Sequence, residues 1–149
     1  MPEHIVVAPN WELVPTGGRI PAYMRKGRTN NNALQVSTLS THEGQTLELD
    51  LAETVAKWTQ SLGGRVISTV EGDCSFGKYA KAEFEKAGFS HCEVWQLSDG
   101  QSVLSVTYIC DAPPTVPELE EVRNMALSAY RCAGASEIVQ PRSPWWKFW

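Results

Sequence analysis

The sequence predicts an α+β fold in which an antiparallel β-sheet is covered by two main helices. The first observation is the pair Asp99-Gly100, which lies between two runs of strand-forming residues and is typical of a tight hairpin turn. The second is helical periodicity with capping residues near 50–63 and 115–132. The chain has 149 residues, of which 42% are hydrophobic, so it is long and apolar enough to form a core.

The domain organisation follows from composition. We predict a single α+β domain over residues 1–137 and a separate aromatic tail over 138–149. No apolar run reaches the roughly 20 residues of a transmembrane helix, and the N-terminus lacks signal-peptide features. We therefore expect a cytoplasmic protein without a transmembrane segment. The formal net charge of −4 provides no general attraction to nucleic acid.

In the N-terminal third, the pattern of apolar residues predicts short strands at 4–8, 20–24 and 33–39. Between the last two lies a basic, asparagine-rich loop with the cations Arg25, Lys26 and Arg28. Two interpretations remain open for this loop. It is either a solvated hairpin tip or a contact surface for an acidic partner.

Two segments are predicted to be amphipathic helices. The first begins at Asp50, with Glu53 in a capping position, and ends at Gly63; its apolar face is Leu51, Val55, Trp58 and Leu62. The second begins with a capping box between Thr115 and Glu118 and runs to about Cys132. Its predicted apolar face is Leu119, Val122, Ala126, Ala129 and Tyr130.

The region between the helices is predicted to be a run of strands. Residues 65–71 are rich in β-branched side chains, which favours a strand. Residues 74–87 fit both strand alternation and helical spacing. We predict a strand for this segment because the strand at 65–71 needs a neighbour.

A register for the central hairpin follows if Asp99 and Gly100 are its two loop residues. Trp95 then lies opposite Leu104, and His91 lies opposite Tyr108. One face becomes a predicted core of Trp95, Leu97, Leu104, Val106 and Tyr108. The other face mixes apolar and polar residues, which implies that a helix covers it in part.

The motifs that could carry chemistry are few. Four cysteines, at 74, 92, 110 and 132, have no metal-ligand spacing, and the predicted register places Cys92 and Cys110 on opposite faces, which argues against a disulfide between them. The run from Asp73 to Gly77 lacks the first glycine of a nucleophile turn. Phosphate-loop, dinucleotide and zinc-hydrolase motifs are absent from the sequence, so we predict no metal and no cofactor.

One polar cluster stands out at the end of the hairpin. His91, Glu93 and Tyr108 are predicted to share a sheet face. The cluster is either acid–base machinery or a hydrogen-bonded polar patch at the mouth of the core.

The tail ends in an unusual aromatic run, Trp145-Trp146-Lys147-Phe148-Trp149. Large amphipathic rings are typical of binding hot spots and of membrane interfaces. Three interpretations are open: the tail covers its own sheet, binds another protein, or contacts a membrane surface weakly, since Arg142 and Lys147 are its only cations.

The order of elements and several short sequence segments over about residues 50–132 resemble the PsbP-like superfamily. The similar segments are Gly77-Lys78-Tyr79-Ala80, Val94-Trp95, Val106-Thr107-Tyr108, Leu119-Glu120-Glu121-Val122 and Leu127-Ser128. The resemblance implies an α/β/α sandwich. It also implies a protein-binding role, as in the superfamily's photosystem subunit, its release factor for a small GTPase, and the bacterial DcrB-like branch with its accessory proteins of type VI secretion. No catalytic residues carry over.

The sequence therefore predicts a non-enzymatic bacterial protein that binds another protein, as a secretion-effector chaperone or a toxin immunity partner. The predicted contacts are Trp145, Trp146, Phe148 and Trp149 of the tail and Arg25, Lys26 and Arg28 of the basic loop. A second copy of the chain is a further candidate partner. The alternative is a small enzyme or ligand-binding domain that uses His91, Glu93 and Tyr108.

Overall fold

The computed structural model describes residues 5–15, 22–40, 50–100 and 102–130, with the backbone alone at 38–40. Seven strands and two helices occur in these ranges. In chain order they are β1 (Trp11–Val14), β2 (Ala22–Arg25), β3 (Ala33–Ser40), α1 (Leu51–Ser61), β4 (Arg65–Cys74), β5 (Gly77–Glu85), β6 (His91–Ser98), β7 (Ser102–Cys110) and α2 (Val116–Leu127).

All seven strands belong to one antiparallel sheet, in the order β1-β2-β3-β7-β6-β5-β4. The predicted hairpin, now β6 and β7, lies in the middle of that order. An antiparallel sheet with two helices confirms the predicted α+β class. Neither helix of the described residues is long and apolar enough to cross a membrane.

Both helices begin where the sequence predicts. The Asp50 side chain accepts a hydrogen bond from the Glu53 amide at the start of α1. At the start of α2, Thr115 and Glu118 form the reciprocal capping box. Glu118 is buried and also accepts a hydrogen bond from the side chain of Asn32, the residue before β3, at 3.4 Å, so the chain entering β3 is joined to α2 at this point.

The two helices contribute to two separate apolar clusters. Residues of α2, among them Val122 and Met125, pack with the alternate hairpin residues Trp95, Leu97, Leu104, Val106 and Tyr108. These five are the predicted core face, and all are buried. Residues of α1, Leu51 and Val55, pack instead with Cys92, Val94, Ile109, Ala80, Ala82 and Phe84. Side chains of successive strand residues alternate between these clusters.

The predicted register of the hairpin is wrong by two positions. Leu97 lies opposite Leu104, Trp95 opposite Val106, and Ser98 opposite Val103, so four residues separate the last pair. The physical reason is the turn: a type I′ turn needs positive φ at both loop residues, whereas only Gly100 has it and Asp99 does not. The Asp99 side chain instead accepts a hydrogen bond from the Ser102 amide at 2.7 Å. A shift of two leaves every side chain on its predicted face.

The N-terminal strand is also misplaced in the prediction. Residues 5–8 of the predicted strand 4–8 form no strand, and β1 lies at 11–14 instead. β1 pairs with β2, from Trp11 opposite Arg25 to Val14 opposite Ala22. The segment before it is held differently, because the Val6 amide donates to the Ser128 hydroxyl at 2.8 Å.

The predicted helix faces and ends are partly wrong. In α1, Leu51 and Val55 are buried as predicted, and Trp58 packs partly buried against the same cluster. Thr59, which was not predicted on this face, is also fully buried, and its hydroxyl donates to the Val55 carbonyl. The second helix ends at Leu127, before the predicted Cys132, where the Ser128 hydroxyl donates to the Met125 carbonyl. Tyr130 is consequently 40% exposed, whereas it was predicted on the buried face.

The ambiguous segment 74–87 contains a strand, as predicted. Residues Ala80, Ala82 and Phe84 of β5 alternate inward and are buried beneath α1. A two-residue turn, Ser75-Phe76, joins β4 to β5. The cysteine-containing run at 73–77 is therefore a strand-to-strand turn and differs from the strand-to-helix setting of a nucleophile elbow.

Candidate functional site

The predicted polar cluster forms in part. His91 Nε2 lies 3.0 Å from Glu93 Oε1, and the two residues alternate onto the same face of β6. Two residues of β5 that sequence analysis missed complete the cluster: Lys81 Nζ lies 3.2 Å from Glu93 Oε1, and Glu83 Oε1 lies 3.5 Å from His91 Nδ1. The cluster of His91, Glu93, Lys81 and Glu83 is called the His91 cluster below.

The carboxylate of Glu93 is the buried centre of this cluster, with 4% of the residue exposed. Burial alone raises the pKa of Glu93, but the His91 hydrogen bond and the positive charge of Lys81 outweigh it and hold the pKa below its usual range. Glu93 is therefore an anion at neutral pH and accepts hydrogen bonds only. It follows that the His91 Nε2 position carries the hydrogen and donates to Glu93.

Tyr108 takes no part in this hydrogen bonding. It lies opposite Glu93 across the hairpin, rather than opposite His91 as predicted, because of the corrected register. Its ring packs edge-on against Trp11 with centroids 6.0 Å apart. Burial, followed by the nearby Cys110 and Glu118, raises the pKa of Tyr108 far above its usual range. Tyr108 is a neutral core residue, and of the predicted trio only His91 and Glu93 are brought together.

A concavity of about 430 Å³ lies beside the His91 cluster. His91 and Glu83 line it, together with Lys86 and Phe89 from the turn after β5. Neither Glu93 nor Tyr108 is among its lining residues. The concavity gives a small ligand a place to bind, but only His91 of the three predicted residues faces it.

Lys81 and Glu83 escaped the sequence analysis because their position depends on pairing between β5 and β6. The register places Lys81 opposite Trp95 and Glu83 opposite Glu93. The signal that could have found them is the alternation Tyr79, Lys81, Glu83 along β5, once that segment is aligned with the hairpin.

The Glu93 carboxylate should matter for stability in a pH-dependent way. We expect Glu93→Gln to lower the free energy of unfolding by about 1–3 kcal/mol at neutral pH, because Lys81 and His91 lose a buried anionic partner. A lowered pKa in the folded state stabilises the fold above the unfolded-state value of about 4.3 and ceases to do so as the pH falls through the folded value. The difference between the parent chain and Glu93→Gln should therefore shrink below about pH 5.

Denaturant unfolding of both proteins over a pH series measures this difference. The matched control is Glu53→Gln, since Glu53 forms an ion pair with Lys57 at 2.9 Å on an exposed face of α1. Such exposed ion pairs contribute at most about 1 kcal/mol to stability, because solvent screens the charges. A Glu93→Gln effect that stays constant from neutral to acid pH would contradict the assignment.

The sheet face next to the His91 cluster is uncovered among the described residues. On the α2 side of β4 and β5, the register aligns Ser68 with Glu83, Val70 with Lys81, and Gly72 with Tyr79. Val70 is 52% exposed. The Tyr79 ring lies 5.7 Å from the Trp95 ring, and Lys81 Nζ lies 5.1 Å from it. We call this face, formed by Ser68, Val70, Tyr79, Lys81 and Glu83, the open wing.

The basic loop is largely neutralised within the chain. Arg25 Nη2 lies 3.0 Å from Glu121 Oε1 of α2, and Arg28 Nη1 lies 2.9 Å from Glu12 Oε1 of β1. Lys26 is exposed. Two of the three predicted cationic contacts thus have internal partners, and the binding role of the loop stays a prediction.

The described cysteines are free thiols. Cys92 belongs to the α1 cluster and Cys110 to the α2 cluster, so they lie on opposite sides of the sheet as predicted. Burial raises the pKa of Cys92 to about 11, with nearby Lys86 opposing the rise, and burial also raises the pKa of Cys110. Both are protonated at neutral pH and are poor nucleophiles.

Part of the predicted site lies outside the described residues, namely the tail contacts Trp145, Trp146, Phe148 and Trp149. The same is true of His4, His42 and Cys132. Within the described ranges, no three residues among His, Cys, Asp and Glu are grouped so as to hold a metal ion.

Comparison with known proteins supports the fold. No protein-family model matches the chain, and no curated protein matches it. The structure is similar to the solution structure of cyanobacterial PsbP (CyanoP) from Synechocystis sp. PCC 6803, with a TM-score of 0.62, 10% sequence identity and 85% of each chain covered. This confirms the predicted PsbP-like fold. At such low identity the likeness concerns the fold alone.

Proposed function

We propose that this chain is a non-enzymatic bacterial protein that binds another protein, as a secretion-effector chaperone or a toxin immunity partner. The observation that carries the proposal is the open wing, where β4 and β5 present a sheet face that no described element covers. The face combines exposed Val70 with half-buried Tyr79 and the charges of Lys81 and Glu83. Protein interfaces are enriched in aromatic residues and have a polar rim, so Tyr79 and Val70 next to these charged side chains are compatible with one.

The chemistry of the titratable groups favours binding over catalysis. A nucleophilic enzyme needs a reactive hydroxyl or thiol beside a base. His91 is instead held between two carboxylates, and Cys92 lies on the opposite side of the sheet with a raised pKa. The His91 cluster thus resembles a structural ion-pair network that fixes β5 to β6.

The same proposal includes more specific statements about the architecture, the branch of the superfamily and the location of the protein. We place the domain among α/β/α sandwiches, with α1 and α2 on opposite faces of the sheet, and in the DcrB-like branch with its type VI secretion accessory proteins. We also propose a cytoplasmic location, with no cofactor, no nucleic acid partner and at most weak contact with a membrane surface. Trp145, Trp146, Phe148 and Trp149 of the aromatic tail are proposed as further contacts for the partner.

The test compares the full chain with a chain that ends after Arg142, which removes Trp145, Trp146, Phe148 and Trp149. Both are used as bait in native lysate, and captured proteins are then purified and re-tested for direct binding. We expect a partner that binds the full chain and binds the shortened chain at least about tenfold more weakly, a loss equivalent to about 1.4 kcal/mol. Equal unfolding midpoints of the two chains serve as the folding control.

The alternative function, a small enzyme or ligand-binding domain, rests on the concavity beside His91. A ligand that binds the native state raises the unfolding temperature as its concentration rises. Concentration-dependent stabilisation by a metabolite, abolished in His91→Ala and retained in the chain ending after Arg142, would favour the alternative. Absence of any re-testable protein partner would contradict the proposed function.

A further inference from the structure

The two edges of the sheet differ sharply in their protection. At one edge, β1 has four residues and is bounded by Pro9 and Pro15. At the other, β4 has ten residues and contains neither proline nor lysine. Short length, proline and lysine are the usual devices that stop edge strands from pairing with other chains. The β1 edge has two of these three devices and β4 has none of the three, although β4 does carry a bulge near Ile67 and the charges of Arg65, Glu71 and Asp73.

The exposed side of β4 is suited to pairing with a further strand. No described strand pairs with its outer edge. A bulge at Ile67 offsets the first two residues, but from Ser68 to Cys74 the strand pairs regularly with β5 and keeps an extended backbone. Ile67 and Val70 are 54% and 52% exposed. Both the backbone and the apolar side chains are therefore accessible to a partner strand.

The charges of β4 select the partner. The strand carries Arg65 at its beginning, and Glu71 and Asp73 at its end. When two copies of such a strand pair antiparallel, with the two-fold axis at Ser68 or at Thr69, Arg65 of each copy comes opposite Glu71 or Asp73 of the other. Parallel pairing would align like charges. Arg65 forms an ion pair with Glu85 of β5 and is 81% exposed at its side chain, so it remains accessible.

We propose that β4 is a homodimerisation strand, on which a second copy of this chain pairs antiparallel through its own β4. The interface is isologous, because the same surface serves both copies. The sheet becomes continuous across the dimer, and the two open wings become neighbours on one face. The dimer does not depend on the proposed function, but it would double the surface on which that function relies.

Substitution on β4 with a matched control on β1 tests the proposal. Val70→Lys places a lysine near the two-fold axis in both copies, so like charges meet there. Leu13→Lys is the control, since Leu13 is 56% exposed on the opposite edge strand. Sedimentation velocity over a concentration series should show a dimer for the parent chain and for Leu13→Lys. Val70→Lys should raise the dissociation constant at least about tenfold.

A charge swap separates strand pairing from a general effect of added charge. Arg65→Glu alone should weaken the dimer, and the combination of Arg65→Glu with Glu71→Arg and Asp73→Arg should restore it. Circular dichroism at low concentration shows whether each variant is folded. A parent chain that is monomeric at every concentration overturns the proposal, as does a dimer that Leu13→Lys dissociates and Val70→Lys leaves intact. Either result leaves the proposed partner binding of the monomer open to its own test.

Discussion

Replacing Gly77 with alanine should destabilise the protein by about 2–5 kcal/mol. Gly77 begins β5 with φ of +149°, and a Cβ there would lie 2.2 Å from the Ser98 carbonyl oxygen. That oxygen belongs to the backbone of β6, where Ser98 pairs with Lys78, so it cannot move without disrupting the sheet. The denaturant midpoint of Gly77→Ala, measured at an unchanged denaturant slope, gives the cost.

Gly88→Ala separates the two contributions to this cost. Gly88 also has a positive φ, +90°, but among the described residues beyond its two chain neighbours no atom lies within 4 Å of the position that a Cβ would occupy. Its substitution should carry only the conformational strain of about 1–2 kcal/mol. Equal costs at the two glycines would mean that the close approach to Ser98 has no energetic consequence.

Replacing Trp95 with alanine should cost about 3–5 kcal/mol and lower the unfolding temperature by roughly 10 °C. Trp95 is 2% exposed, lies opposite Val106 of β7 and Lys81 of β5, and packs against the Tyr79 ring. Its removal leaves a cavity at the centre of the α2 cluster, where two strands meet. Calorimetry on the purified variant measures the loss directly.

Trp95→Phe is the informative companion. The indole N–H of Trp95 has no hydrogen-bond partner among the described residues, so phenylalanine removes an unsatisfied donor while it keeps a ring for Tyr79 and Lys81. We expect it to cost less than half as much as Trp95→Ala. If the two substitutions were equally costly, the shape of the indole rather than the burial of a ring would control this part of the core.

The elements that sequence predicted well are those fixed by local chemistry. Asp50 and Thr115 predict helix starts because their side-chain oxygens accept hydrogen bonds from nearby helix amides. This local contact does not depend on where the helix packs. The core face of the hairpin was also predicted, because alternation survives an even error in register. The loop length was not, since it depends on the φ angle of Asp99, which the pair Asp99-Gly100 favours but does not fix.

The candidate site was predictable only where its residues are neighbours on one strand. His91 and Glu93 lie two residues apart on β6, so alternation alone brings them together. Lys81 and Glu83 come from a strand whose register with β6 requires the tertiary fold. The unequal edges of the sheet were likewise invisible, because edge position follows from strand order and no local pattern in β4 specifies it.

Strand order also has a consequence for how the chain reaches its native state. From β4 to β7 each strand pairs with the next one in sequence, so these contacts are local and can form early. The pairing of β3 with β7 instead joins residues 33–40 to residues 102–110, and closing that long loop is slow. During synthesis, β3 emerges from the ribosome long before β7 exists, so Leu34, which is buried in the α2 cluster, awaits that burial until almost the whole domain has been made.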